Sequence, residues 1–408
     1  MKNTIAFTAL LLIAAACSRE EVQQRTTSVT EKVENAIERV SVPEGRPDDP
    51  AAREKERFNV NWRRLSGFQT PAQRAAQQQR EQVANIQFVT GVKESLQNVT
   101  PQAINTAPVA VPITGDVSGP SVLRTQVYLD RAGFSVGAID GRWGKNSAIA
   151  VWWFQRTRGL NGTGDVDEQT YRALANEAGA VPAITTHQLT ADDVKGPFVN
   201  VPAEMYDKAK LDCLCYESAG EKVAERFHMT IDLLKLLNPG VEFGSLQAGQ
   251  SINVLNVRPP MTADRPDIAR IVVSLQGNTF NAFDGAGNML FHAPTTVGNE
   301  YDPSPTETLE IVKIVHDPHF HYQPTLFAEV PDDEPEANLN PGPNSPVGVV
   351  WIALSKKHFG IHGTSDPDSI GYASSHGCIR LTNWDANEVA RRVQKGVKVE
   401  FTDTRERG

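Results

Sequence analysis

The apolar positions of this chain keep changing their rhythm, and each change marks a candidate unit. An almost unbroken apolar run, Ile5 through Ala16, is too short for a membrane-spanning helix, which needs about 20 apolar residues. Residues 18–119 are charged, rich in Gln and Ala and poor in aromatics. No long face there recurs every 3.6 residues, so the stretch is expected to be a flexible tether with partial helix, as over Pro71 to Asn98. Between Pro120 and Leu174 the helical period becomes clear. Leu123, Gln126, Val127 and Leu129 form one stripe, Ala148, Val151, Trp152 and Phe154 a second, and a third helix starts at the cap Asp167. Residues 120–176 therefore read as a three-helix bundle, followed by a polar linker over 177–197.

Residues 198–258 carry two short helical patterns, Glu221 to Phe227 and Ile231 to Leu237, then a strand from Ser251 to Asn256. Arg258-Pro259-Pro260 stiffens the next boundary. From 268 to 403 the texture is β. Ile271 to Val273, Thr279 to Phe283 and Met289 to Ala293 predict strands, the last two a hairpin around Asp284-Gly285-Ala286-Gly287. Further strands are expected at Thr308 to His316, Val347 to Leu354 and Val397 to Phe401. One amphipathic helix, Asn383 to Arg392, is capped by Thr382 or Asn383. The fold class is thus multidomain: a β-rich domain with one main helix, preceded by a small helical bundle and a small α+β module.

Composition narrows the partners. A chain of 408 residues exceeds one ordinary core, and a net charge of -9 with pI near 5.6 argues against nucleic acid, whose phosphates need a basic face. Lys2 before the apolar run, and Cys17 after it, fit a secretory signal over residues 1–17. Cysteine use is sparse. Cys213 and Cys215 lie two apart and on one strand would point to the same face, so they are expected as buried or half-buried thiols rather than a disulfide or a metal site. Cys378 is a lone thiol in a chain that reads as exported, where an unpaired thiol invites oxidation unless it has a task.

Its neighbours suggest that task. Cys378 sits in Ser375-His376-Gly377-Cys378-Ile379-Arg380-Leu381, with Ile361-His362-Gly363-Thr364 upstream. A free thiol titrates near 8.5 and needs a base to react at neutral pH; His362 is the candidate, with the Gly363 carbonyl to fix its tautomer. The amides of Gly377 and Cys378 are candidates for an oxyanion site, and no metal or other cofactor is needed. His316-Asp317-Pro318-His319-Phe320-His321 gathers three histidines but lacks a convincing fourth ligand, so no metal is expected. The acidic, proline-rich loop from Glu329 to Pro343 reads as a lid or a solvated surface loop.

Both motifs together resemble the active-site signature of the L,D-transpeptidases, as do Pro341 to Gly348 and Ser304-Pro305-Thr306. That resemblance implies a mixed β-sandwich catalytic domain in which Cys378 is the nucleophile, His362 the acid/base and Gly363 its orienter. His376, Gly377 and Ser375 would shape the oxyanion pocket, and Arg380 would hold a substrate carboxylate. The implied reaction joins peptidoglycan stem peptides in 3→3 cross-links through a thioester. Hydrolysis, attachment of a protein to the wall, and a non-catalytic wall tether remain the alternatives. Leu123, Gln126, Asp140-Gly141, Trp143-Gly144, Phe154-Gln155 and Val166-Asp167 resemble a three-helix peptidoglycan-binding domain. Glu221 to Phe227, Asn238-Pro239 and Gly249-Gln250 resemble a LysM module, with Leu214 to Ala219 in place of its usual opening turn. Ala14-Ala15-Ala16-Cys17 resembles a bacterial lipoprotein processing site. This implies a lipidated Cys17, an outer-membrane lipid anchor and a periplasmic protein that meets stem peptides and glycan.

Overall fold

A capped, solvent-exposed helix opens the computed structural model, which describes residues 70–403 apart from 98, 99, 328, 329 and 332. Cys17 and most of the expected tether lie outside the described residues. Helix α1 (Pro71–Ala84) starts with a reciprocal cap: Gln73 N–H donates to Thr70 Oγ1, and Thr70 N–H to Gln73 Oε1. It buries no side chain. The tether ends earlier than expected. Strand β1 (Phe88–Val89), helix α2 (Pro101–Thr106) and strand β2 (Val109–Ala110) are packed, β1 and β2 pairing in parallel. Ile104, Val109 and Ile113 are almost wholly buried in one core with the following helices. These apolar positions alternate over too few residues to stand out as a period.

Helices α3 (Pro120–Arg131), α4 (Lys145–Thr157) and α5 (Glu168–Ala178) follow the expected stripes, with Asp167 capping α5 through Thr170 N–H. Two buried glutamines tie the turns to the helices. Gln126 accepts from Gly141 N–H and donates to Arg142 O, while Gln155 accepts from Gly164 N–H and donates to Asp165 O. Each amide satisfies backbone groups that a tight turn would otherwise leave unpaired.

The next module starts earlier than its helices suggest. Strand β3 (Ile184–Gln188), inside the expected linker, pairs antiparallel with β4 (Ser251–Leu255). Between them run α6 (Met205–Lys208), α7 (Ala219–Arg226) and α8 (Ile231–Leu237). Apart from α6 this is a β-α-α-β unit. Its first strand, Ile-Thr-Thr-His-Gln, buries only Ile184, which is why no apolar alternation announces it. Residues 190–217 are an insertion in the unit, and they overturn the cysteine expectation. Cys213 and Cys215 form a disulfide. Their segment is an irregular bend rather than a strand, so the two side chains need not run parallel, and the Cα atoms stand 5.2 Å apart, within disulfide range.

The β-rich part contains β5 (Arg270–Ser274), β6 (Thr279–Phe283), β7 (Met289–Pro294), β8 (Leu309–His316), β9 (Phe320–Tyr322), β10 (Ala337–Leu339), β11 (Val350–Leu354), β12 (Gly360–His362), β13 (Ile379–Arg380), α9 (Asn383–Arg392) and β14 (Lys398–Thr402). Instead of a sandwich of two sheets, eight strands form one continuous mixed sheet in the order β13-β12-β11-β8-β14-β5-β6-β7. It curls. Just past β7, Thr296 exchanges backbone hydrogen bonds with Arg380 of β13 at the opposite edge, so the chain bridges the two ends of the sheet. Ile271, Val273, Ile352 and Ile361 line its interior with Ala386 and Val389 of α9. Strands β9 and β10 form a separate antiparallel pair.

The described residues from Ala75 onward form one compact unit, and the modules are docked rather than strung. The edge of β7 is covered by the helical module: Ser135 N–H donates to His292 O, and His292 N–H to Gly133 O.

Candidate active site

The pairing of β12 with β13 assembles the reactive groups. The two strands run parallel with Ile361 opposite Ile379 and His362 opposite Arg380. Side chains alternate across a sheet, so the buried isoleucines take the core face and His362 and Arg380 the other. Cys378, one residue before Ile379, shares that second face. His362, Cys378, Arg380 and His376 all line one groove of about 490 Å³.

Each group is held from behind. His362 is buried, stacks on Trp351 at 5.4 Å, and its Nδ1 lies 2.7 Å from Gly363 O. A carbonyl only accepts, so Nδ1 carries the proton and Nε2 is the bare, basic nitrogen. Burial, reinforced by the positive charge of Arg380, holds this imidazole down to about 3, and it is neutral at physiological pH. Burial also pushes the Cys378 thiol above its ordinary value, against a smaller lowering from the Gly360 amide and Arg380. Its Sγ lies 3.5 Å from His358 O, as a protonated thiol donating to a carbonyl would. The resting pair is therefore neutral thiol and neutral imidazole.

The loop before Cys378 is fixed by its own polar groups. Ser375 is buried; its N–H donates to Val297 O and its Oγ to Cys378 O. Ser304 Oγ donates to Gly377 O at 2.8 Å. Gly377 has φ +95°, and a Cβ there would lie 2.8 Å from Phe359 Cε1, so both backbone and space demand glycine. The His376 ring packs edge-on against Phe327 at 4.8 Å. Arg380 Nε is buried without a hydrogen-bond partner among the described residues.

Some contributors carry no signal in the local sequence. Gly363 lies against Asn383, the first residue of α9, and a Cβ on the glycine would strike Asn383 Oδ1. Thr382, rather than Asn383, caps the helix. Met205, from the insertion at 190–217, joins Phe320, Leu326, Phe327, Trp351 and Phe359 in lining the groove. Of the three clustered histidines, His321 pairs with Glu336 across the β9–β10 hairpin at 2.9 Å. Lys356, Lys357 and Arg380 make the groove's lining mainly basic, with Asp302 as its acid.

A thiol, a bare imidazole nitrogen and a guanidinium on one face of a groove define a cysteine acyl-transfer site. Residues 268–401 match the family model described as "L,D-transpeptidase catalytic domain", and residues 118–174 match a "Putative peptidoglycan binding domain". The "Putative L,D-transpeptidase YkuD" of Bacillus licheniformis is 35% identical over 182 residues, covering 45% of this chain and 92% of that protein. Its namesake in Bacillus subtilis is 32% identical over 178 residues, covering 43% and 89%. The chain belongs to the L,D-transpeptidase family.

Proposed function

We propose that this enzyme forms 3→3 cross-links between peptidoglycan stem peptides through a thioester on Cys378. The observation that carries this reading is the common face of His362, Cys378 and Arg380 on neighbouring strands, with Nε2 of His362 bare. As Sγ attacks the carbonyl of the third stem residue, its proton passes to His362 Nε2. The Gly377 and Cys378 amides receive the oxyanion, in a pocket shaped by Ser375 and His376. Collapse breaks the C–N bond, and His362 returns the proton to the departing D-alanine amine. An acceptor amine then attacks the thioester, losing a proton to His362, and the thiol is regenerated. Arg380, whose buried Nε lacks a partner among the described residues, suits a substrate carboxylate.

The upstream parts fit delivery to the wall. The helical module belongs to a peptidoglycan-binding family over 118–174. The β-α-α-β order and the Asn238-Pro239 turn support a LysM-like module over 184–257. Cys17 would carry the lipid of an outer-membrane anchor, putting the enzyme in the periplasm.

The test is incubation of the full-length protein, purified from membranes, with disaccharide tetrapeptides, read by intact mass and product analysis. An acyl adduct on Cys378, 3→3 dimers, loss of both in Cys378→Ala and a lipid-sized mass on Cys17 are expected. Absence of an adduct, or unchanged turnover in Cys378→Ala, would overturn the reaction; a tripeptide product without dimers would make the enzyme a carboxypeptidase.

A further inference from the structure

We propose that Glu225, carried by the β-α-α-β module, is a positioning residue for the acid/base histidine and acts through Asn383. The inference rests on the reading of His362 as the proton carrier. His362 keeps its tautomer by donating from Nδ1 to Gly363 O. The Gly363–Thr364 backbone is in turn held by Asn383, whose Oδ1 accepts from Thr364 N–H at 3.1 Å and from Val349 N–H at 3.3 Å. That grip works only with the amide in one orientation. Turned over, the side-chain NH2 would face two backbone N–H groups, donor against donor.

What selects the orientation lies on the other side of Asn383. Its Nδ2 donates to Pro343 O at 3.1 Å and to both carboxyl oxygens of Glu225 at 3.2 Å. Glu225 is buried, projects from α7 and also accepts from Tyr216 OH. Asn344 fastens the same junction, donating to Glu221 Oε1 and Cys215 O. A buried carboxyl is costly unless it is fully used, and this one has the Asn383 amide as its main partner. Its burial pushes it up to about 8, which removes the charge at neutral pH and leaves acceptor oxygen for Asn383. The line runs from Glu225 through Asn383 and the Gly363–Thr364 backbone to His362, so the accessory module completes the catalytic site.

The experiment uses the full chain and follows transfer between tetrapeptides. Glu225→Met keeps the bulk and removes the acceptor; it is expected to lower kcat about 10-fold with KM within about 2-fold, because the misplaced group is catalytic rather than substrate-binding. Glu225→Gln, which retains an acceptor oxygen, should recover most of the rate. Ser218→Ala removes the cap of α7 without touching Asn383, and should lower the melting temperature while leaving kcat unchanged. Wild-type kcat in Glu225→Met, or an equal loss of kcat in Ser218→Ala at matched stability, overturns the proposal. If Glu225→Met does not fold, Asn383→Asp carries the test: near neutral pH the protonated Glu225 can donate to the new carboxylate, but kcat should fall about 3-fold or more beyond the wild type's own change as pH rises above about 8, and adding Glu225→Gln, whose Nε2 donates at every pH, should recover that loss. No recovery overturns the proposal. A wild-type enzyme that never acylates Cys378 sinks the transpeptidase reading together with this one, whereas an active Glu225→Met sinks this one alone.

Discussion

Burial decides how the reacting pair begins. The Cys378 thiol is pushed above its ordinary value and His362 is held near 3, so both are neutral across the interval between. This arrangement differs from a thiolate-imidazolium pair, which would be reactive toward alkylating agents well below neutrality. The rate of Cys378 alkylation by iodoacetamide should therefore climb about tenfold per pH unit from pH 5 to 8, as the thiolate fraction does. A plateau in that interval would show that the ion pair forms without substrate. At this scale the sequence was informative where the chemistry is local. The motifs that carry Cys378, His362, Gly363 and Arg380 are each contiguous in the sequence, and two short paired strands set them side by side in one groove. Asn383 reads as a possible cap and Glu225 is not singled out within its short helix, because their contact spans 158 residues and exists only in the docked fold.

At the scale of elements, the same carboxyl links α7 to stability. The unfolded Glu225 titrates near 4.5, and burial raises it to about 8 in the folded protein. Between those values the unfolded chain has released a proton that the folded chain still holds, so stability from this group falls as pH rises through the window and is lost above it. Urea unfolding of wild type and Glu225→Gln at pH 5, 6, 7 and 8 should show the wild type losing ground, by at most about 1.4 kcal/mol per pH unit. Parallel curves would mean that Glu225 is already charged in the fold. Elements with a long apolar period, such as α3, α5 and β8, were readable from the sequence, as were the hairpin and α9. Strand β3 was not, because it buries only one side chain in five. The disulfide escapes the sequence for a related reason: cysteines two apart point the same way on a strand, but here the segment bends and brings their Cα atoms to 5.2 Å. There the Leu214 N–H donates to Pro341 O and Asn344 N–H donates to Leu214 O, and tertiary contacts of that kind leave no local trace.

Across the whole molecule, one side chain ties the parts together. Arg258, between the β-α-α-β unit and the sheet, pairs with Asp130 of the helical module and with Asp385 and Glu388 of α9. His228 closes the ring, its Nδ1 2.8 Å from Asp130 Oδ2 and its face stacked on Trp384 at 5.1 Å. Burial acts on both aspartates. At Asp130 it is outweighed by Arg258 and His228, and the carboxyl is lowered; at Asp385 burial prevails over Arg258, and the carboxyl is raised. A guanidinium shared in this way is replaced poorly by anything neutral, since three carboxyl groups would lose their common partner. Breaking one side of a buried ion pair costs about 3–5 kcal/mol. Arg258→Met should therefore lose stability of that order, with the loss concentrated at the junction: calorimetry is expected to replace a single cooperative transition with two, the helical module and the sheet melting apart. A single transition within about 1 °C of wild type would mean that apolar contacts alone dock the modules. If the split occurs, cross-linking of intact sacculi should fall more than acylation of Cys378 by a small tetrapeptide, because only the polymer has to meet the wall-binding module and the groove in fixed register.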